Sequence, residues 1–176
     1  FKISSGDVNN FQLIEHVIKK RKPLIISTGR STFSEVKKTI SFLKQKRCKN
    51  YSLLHCVSIY PASYKDLNLN VIKFLKRKLS CNIGFSDHSS GIEASLAAVA
   101  MGANCIEKHL TLNKDDKGPD HKASIEPPEF KKMVQGIRNL ELALGTEEKK
   151  PTKAELQGRF KSRKSMYANK YLSKNT

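Results

Sequence analysis

The feature that most constrains this chain is a repeated alternation of a short apolar run with an amphipathic segment, five times in succession. The apolar runs, at residues 2–5, 23–28, 52–58, 82–86 and 104–110, have the length of strands. Phe11, Ile14, Val17 and Ile18 fall on one face of a helix, and Phe33, Val36, Ile40 and Leu43 on one face of another. Thr32, followed three residues later by Glu35, opens the second of these with a capping box. Residues 68–79, 91–101 and 128–144 read as three further helices. Pro127-Pro128 signals the start of the last one, and Gly145 its end.

Strand–helix alternation predicts an α/β fold with a parallel sheet and right-handed crossovers. A doubly wound sheet and a (β/α)8 barrel both satisfy it. A dinucleotide-binding doubly wound sheet calls for a GxGxxG turn after its first strand, and the sequence has none. Chemistry-bearing residues instead gather where strands end: Lys2 and Ser5, Ser27, Ser58 and Tyr60, Ser86 and His88, then His109. In a barrel that rim is where sites are built. Five units over 145 residues average 29 residues each. Eight would need about 232, near the ~250 of a typical barrel. Residues 1–145 are therefore expected to form either an open five-stranded sheet or the later part of a barrel whose first three units are missing. A chain starting at Phe1 rather than Met is read the same way, as a piece of something longer. Residues 146–176 turn rich in Lys, Glu, Ser and Asn and read as a linker, with a short helix around 152–160.

The 176 residues carry 33 Lys and Arg against 16 Asp and Glu, a net charge of +17. Runs such as Lys19-Lys20-Arg21-Lys22 and Lys44-Gln45-Lys46-Arg47 lie at helix ends, where cations complement the helix dipole. Aromatic residues are not interleaved with them as a nucleic-acid stacking platform requires. The charge excess is expected to steer an anionic small substrate instead. No apolar run approaches the roughly 20 residues of a membrane span, and FKISSGD lacks the basic and apolar segments of a signal peptide. Cys48, Cys56, Cys81 and Cys105 form no CxxC pair, so zinc-ribbon and redox-motif readings fail. Reduced thiols and a cytoplasmic location are the expectation.

Two short stretches carry the most chemistry, FSDHS at 85–89 and EKHLT at 107–111. Alternate residues of a strand share a face, so Ser86 sides with His88, and Glu107 with His109. The two histidines stand on successive strand ends, 21 positions apart. With parallel strands about 4.8 Å apart, their imidazoles could share one divalent ion and leave coordination positions open, as a catalytic metal needs. The competing reading is that each histidine only satisfies a hydrogen bond within the sheet. GPDHKAS, residues 118–124, is a turn-rich loop able to bring Asp120, His121 and Lys122 over the strand ends. Lys2, Ser5, Ser27, Ser58 and Ser86 supply the cation and hydroxyls suited to phosphate or carboxylate oxygens.

Together these stretches resemble the sialic acid synthase (N-acetylneuraminate synthase) family. The matching segments are KISSGDVNN, KPLIISTG, LLHCVSIYP, DLNLN, IGFSDHSSGIEASLAAVAMGA, IEKHLTL and GPDHKAS, in the family's order and spacing over nearly all of residues 1–145. RFKSRKSMYA is similar to the lead-in to the family's C-terminal antifreeze-like (SAF) domain, truncated after a few residues. The resemblance implies a partial TIM (β/α)8 barrel, strands 4–8, over 1–145, and a linker with the start of an antifreeze-like domain over 146–176. It also implies a transferase that condenses phosphoenolpyruvate with N-acetylmannosamine or a related amino sugar, releasing a nine-carbon 2-keto acid and phosphate. His88 and His109 match the family's ligands for Mn2+ or Mg2+. Lys2, Ser5, Ser27, Ser58 and Ser86 match phosphoenolpyruvate contacts, and Tyr60 and Asp120 match positions near the sugar. Asp7 stands where many members have Glu and is implied as a catalytic residue that meets the metal-bound water or the sugar, and Ser58 stands where some have Asn. A homodimer is implied for the full-length protein, and little turnover for this chain alone. The legionaminic and pseudaminic acid synthases share the chemistry, and HKAS is more similar to the sialic and legionaminic side. Spore-coat polysaccharide synthases are a further relative.

Two other readings remain at this point. One is a non-catalytic basic module binding phosphorylated ligands or nucleic acid through its lysine-rich surface. The other is a Schiff-base aldolase using Lys108, which ranks lower because Lys108 has the opposite parity to His109 and should point away from the interior.

Overall fold

A computed structural model describes residues 1–174 and divides the chain into two compact units, Phe1–Leu144 and a second beginning at Gly145. The first unit contains one sheet of five strands: β1 (Lys2–Ile3), β2 (Leu24–Ser27), β3 (Tyr51–Cys56), β4 (Asn82–Asp87) and β5 (Ile106–Lys108). Every neighbouring pair is parallel and the spatial order is the chain order. A doubly wound sheet reverses direction at a switch point, and this one never does. It is an arc of a TIM-type barrel, five strand–helix units long.

The helices are α1 (Phe11–Ile18), α2 (Phe33–Gln45), α3 (Asn70–Lys78), α4 (Glu93–Ala100) and α5 (Pro127–Leu144). Thr32 caps α2 as the sequence predicts, accepting from the Glu35 amide at 3.3 Å while Glu35 accepts from the Thr32 amide at 2.7 Å. Ile14 and Val17 of α1, Val36, Ile40 and Leu43 of α2, Ile72 and Leu75 of α3, and Ala94 and Ala98 of α4 are buried against the sheet. They meet Ile3, Leu24, Ile26, Leu53, Ile83 and Phe85 in one core. Burying a side chain of this kind contributes roughly 1.5–3 kcal/mol. α4 packs on α5, where Gly136 lies so close to Leu96 that an added Cβ would stand 3.0 Å from its Cδ2.

Strand parity then assigns the other face. The register sets Ile26 beside Leu53 and Leu53 beside Ile83, all in the core beneath the helices. It sets Lys2 beside Ile25, Cys56 beside Ser86 and Ser86 beside Glu107, on the opposite, interior face. The apolar stripes and the chemistry-bearing residues are therefore separated by a single rule of alternation.

Several strand ends at the site fall earlier than the sequence reading places them, β3 stopping at Cys56 rather than running to Ser58. Ser5 lies outside β1, in a short 3-10 turn, Ser5–Asp7, and β5 ends at Lys108 rather than continuing to 110. Leu110 instead forms an isolated parallel bridge with Ile125, after the 111–124 loop. In the second unit α6 (Lys153–Ser162) is capped by Thr152 and Glu155 and buries no residue. Among the described residues no helix is long and apolar enough to cross a membrane. All four cysteines are free.

Candidate functional site

The C-terminal ends of the strands surround a pocket of about 260 Å³ lined chiefly by polar groups, among them Lys2, Ser5, Ser27, Arg30, Ser58, Tyr60, Ser86, His88, Glu107 and His109. Eight of the ten residues singled out in the sequence are in this lining. Each follows from its strand: Ser27 is the last residue of β2 and Ser86 the penultimate of β4, while His88 and His109 each lie just past a strand end.

The two imidazoles meet. Their ring centroids are 5.3 Å apart with the planes at 83°, and the Tyr60 ring lies 4.3 Å from His88 and 5.3 Å from His109. His88 Nδ1 is 2.7 Å from the Val57 carbonyl, which can only accept, so the proton sits on Nδ1. The Ser86 hydroxyl is 3.3 Å from His88 Nε2 but donates to Glu107 Oε1 at 2.6 Å. Nε2 is thus left with its lone pair directed at the site and no proton donated to it. Burial holds the His88 pKa below the usual histidine value, against the opposing Val57 hydrogen bond, and the His109 charge lowers it further. A neutral imidazole whose second nitrogen donates to a carbonyl is the form in which histidine binds metals.

Among the described residues no cluster of three or more His, Cys, Asp or Glu is arranged to hold a metal. An ion held here would have His88 and His109 as its protein ligands and would complete its shell from water or substrate oxygens. That matches an open catalytic position rather than a closed structural one.

The opposite wall is built for an anion. Lys2 Nζ lies 3.4 Å from Glu107 Oε1, so its charge is shared with a carboxylate. Ser5 Oγ accepts from the Gly29 amide at 2.9 Å and lies 3.1 Å from Cys56 Sγ. Gly29 has no room for a side chain: a Cβ there would stand 2.7 Å from Cys56 Sγ and 2.8 Å from Ser5 Oγ, and closer still to Ser58 Oγ. Ser27 Oγ is, among the described residues, the one buried side-chain oxygen or nitrogen with no hydrogen-bond partner. An unmet buried hydroxyl costs about 1–3 kcal/mol, which a ligand oxygen would relieve.

Two predicted residues lie outside the lining. The Asp7 carboxylate accepts from Ser4 Oγ at 2.9 Å and from Asn10 Nδ2 at 3.2 Å, ordering the turn after β1. Asp120, on the 111–124 loop, reaches the site only through His109, whose Nδ1 is 3.8 Å from its Oδ2. Arg30 and Glu107 were not chosen from the sequence. Glu107 carried a usable signal in its shared parity with His109, and Arg30 in its position just past the end of β2. Lys108 does point away from the interior: its side chain is fully buried with that of Asp87, 3.0 Å apart.

The chain matches the NeuB family over residues 1–149. It is 42% identical over 176 residues to the N,N'-diacetyllegionaminic acid synthase of Campylobacter jejuni, covering 99% of this chain and 53% of that protein. It is 40% identical over 169 residues to the human N-acetylneuraminate-9-phosphate synthase, covering 96% of this chain and 47% of that one. The crystal structure of the N-acetylneuraminic acid synthetase of Leptospira borgpetersenii superposes with a TM-score of 0.82 at 38% identity, covering 93% of this chain and 58% of that chain. The chain thus spans about half the length of the curated relatives it matches.

Proposed function

We infer that this chain, which belongs to the NeuB family, carries the reaction rim of a synthase that joins phosphoenolpyruvate to an N-acetyl amino sugar. N-acetylmannosamine or a close relative is the acceptor, and a sialic-acid-type nine-carbon 2-keto acid and inorganic phosphate are the products. The legionaminic branch is the nearest alternative acceptor class, supported by the 42% identity to the Campylobacter enzyme. The observation that carries the reading is the His88–His109 ring pair, 5.3 Å apart, facing the same pocket as Lys2, Arg30 and the serines.

In this reaction the C3 carbon of phosphoenolpyruvate forms a bond to the aldehyde carbon of the sugar, and the aldehyde oxygen gains a proton. Water adds at C2, and the bond to phosphate breaks. Lys2, Ser5, Ser27, Ser58 and Ser86 hold the phosphoenolpyruvate oxygens, with Ser27 supplying a hydroxyl that is already desolvated and has no protein partner. Tyr60 and Asp120 flank the sugar, and Asp7 supports its end of the site by ordering the turn that carries Ser5. Glu107 orients the Ser86 hydroxyl and tempers the Lys2 charge. His88 and His109 suit a divalent ion, Mn2+ or Mg2+, because His88 is held neutral with a free Nε2 lone pair. When bound, that ion would supply Lewis-acid polarisation of the aldehyde. The full-length protein then works as a homodimer in the cytoplasm on small-molecule substrates.

Equilibrium binding is the direct test, since little turnover is expected from this chain alone. Titration calorimetry with phosphoenolpyruvate in the presence of Mn2+ should give one site per chain. Ser27→Ala should weaken it about 5–30-fold, the loss of one hydrogen bond to a charged group at roughly 1–2 kcal/mol. Absence of phosphoenolpyruvate binding, with salt-sensitive retention on nucleic acid instead, would replace the synthase reading by the basic-module reading.

A further inference from the structure

Arg30 is the one pocket-lining residue that looks misplaced by every local rule. Its φ is 59°, in the left-handed region, where a long side chain costs about 1–2 kcal/mol relative to right-handed backbone. It follows Gly29, whose lack of a Cβ lets the loop press against Ser5, Cys56 and Ser58. The next side chain in sequence is therefore delivered into the pocket, and that side chain is a guanidinium. Nothing in the protein uses it well. Its single side-chain hydrogen bond among the described residues is long, 3.4 Å from Nη2 to the Ser58 carbonyl, and no carboxylate is within ion-pair distance. The other lining cation, Lys2, is paired with Glu107. Of the lining groups Lys2, Arg30 and Glu107, the lysine and the glutamate offset one another, which leaves the charge of Arg30.

Strain held at a pocket edge by a cation whose one side-chain hydrogen bond is long and whose charge has no carboxylate beside it is the pattern of a ligand-binding group. A guanidinium presents a planar fork of donors that matches the oxygens of phosphate.

We propose that Arg30 is a phosphate ligand of this pocket, the group that lets it distinguish a phosphorylated from an unphosphorylated three-carbon acid. The assignment rests on the reading of the pocket as a phosphoenolpyruvate site and adds to it a residue and a specificity.

Arg30→Gly separates strain from binding, because glycine accepts the left-handed backbone without cost. The variant should melt about 2–4 °C higher than the wild-type chain. It should bind inorganic phosphate and phosphoenolpyruvate roughly 10–100-fold more weakly, as expected for losing a charge-assisted hydrogen bond. Binding of pyruvate should be unchanged. Arg30→Lys, which keeps the charge but not the fork, should fall between the two. Unchanged phosphate affinity in Arg30→Gly overturns the proposal, and so does an equal loss of pyruvate binding, which would assign Arg30 to the carboxylate. Wild-type uptake of phosphoenolpyruvate with an indifferent Arg30→Gly leaves the synthase reading standing and removes Arg30 alone. A wild-type chain that binds neither phosphate nor phosphoenolpyruvate removes both.

Discussion

Replacing Lys108 by methionine should destabilise the barrel arc far more than its position in a three-residue strand suggests. The Lys108 ammonium lies 3.0 Å from Asp87 Oδ2, and both side chains are fully buried on the helix-facing side of the sheet. Lys108 also donates to the Ser89 carbonyl at 2.5 Å, while Asp87 accepts from the Ser89 amide at 2.9 Å, from Ser89 Oγ at 2.6 Å and from Ser95 Oγ at 2.7 Å. Removing one partner of a buried pair typically costs 3–5 kcal/mol, because a charge is stranded in a low-dielectric interior (roughly that range in measured cases). Three of the four donors to Asp87 remain, which places the expected loss near the lower end, about 3 kcal/mol. For a chain of this size that corresponds to a melting point lower by about 6–12 °C. Urea denaturation of the wild type, Lys108→Met, Asp87→Leu and the double variant gives a double-mutant cycle. The double variant should recover much of the loss, since two apolar groups strand no charge. A Lys108→Met chain within about 0.5 kcal/mol of wild type would refute the reasoning.

Further outcomes follow from other contacts. Gly29→Ala should cost about 1–3 kcal/mol and weaken phosphate binding, because its Cβ would displace Ser5, Cys56 or Ser58; melting and calorimetry read the two effects together. Thr32→Ala should remove about 1 kcal/mol by opening the cap of α2, seen as a lower urea midpoint with an unchanged slope. Stability should fall as the pH drops through about 6.5, the ordinary histidine value. Burial of His55 depresses its pKa in the folded chain, despite its hydrogen bond to the Leu67 carbonyl at 2.8 Å. The unfolded chain then takes up a proton that the folded one refuses, so stability rises with pH across that window, by at most about 1.4 kcal/mol per pH unit for each such histidine. Unfolding free energies between pH 5 and 7.5 that show no such slope would contradict this sign.

Much of the arrangement was legible because it depends on periodicity. Five apolar runs and helical stripes gave five parallel strands in chain order, and strand parity alone put Ser86, His88, Glu107 and His109 on one face and Lys108 on the other. What parity does not reveal is which residues across strands meet. Asp87 and Lys108 face the helices, where an apolar residue is the default, and only their direct register explains two charges there. His55, in the same stretch as Ser58, turns out to face the helices too, its ring 5.9 Å from that of Phe85. Arg30 escaped notice because its delivery into the pocket depends on backbone dihedrals and on the missing Cβ of Gly29. Asp7 illustrates the reverse case: a motif match placed it near the chemistry, while a 3-10 turn after a two-residue strand gave its carboxylate local partners.

The central claim is that imidazoles on adjacent strands grip one cation. Loss of the free Mn2+ signal in electron paramagnetic resonance titration reads this directly on the wild-type chain, His88→Ala and His109→Ala, with melting curves to establish that each is folded. The account predicts one ion per wild-type chain and at least about a tenfold weaker uptake in each variant. Uptake by either folded variant equal to that of the wild type, or none by a folded wild type, would contradict it.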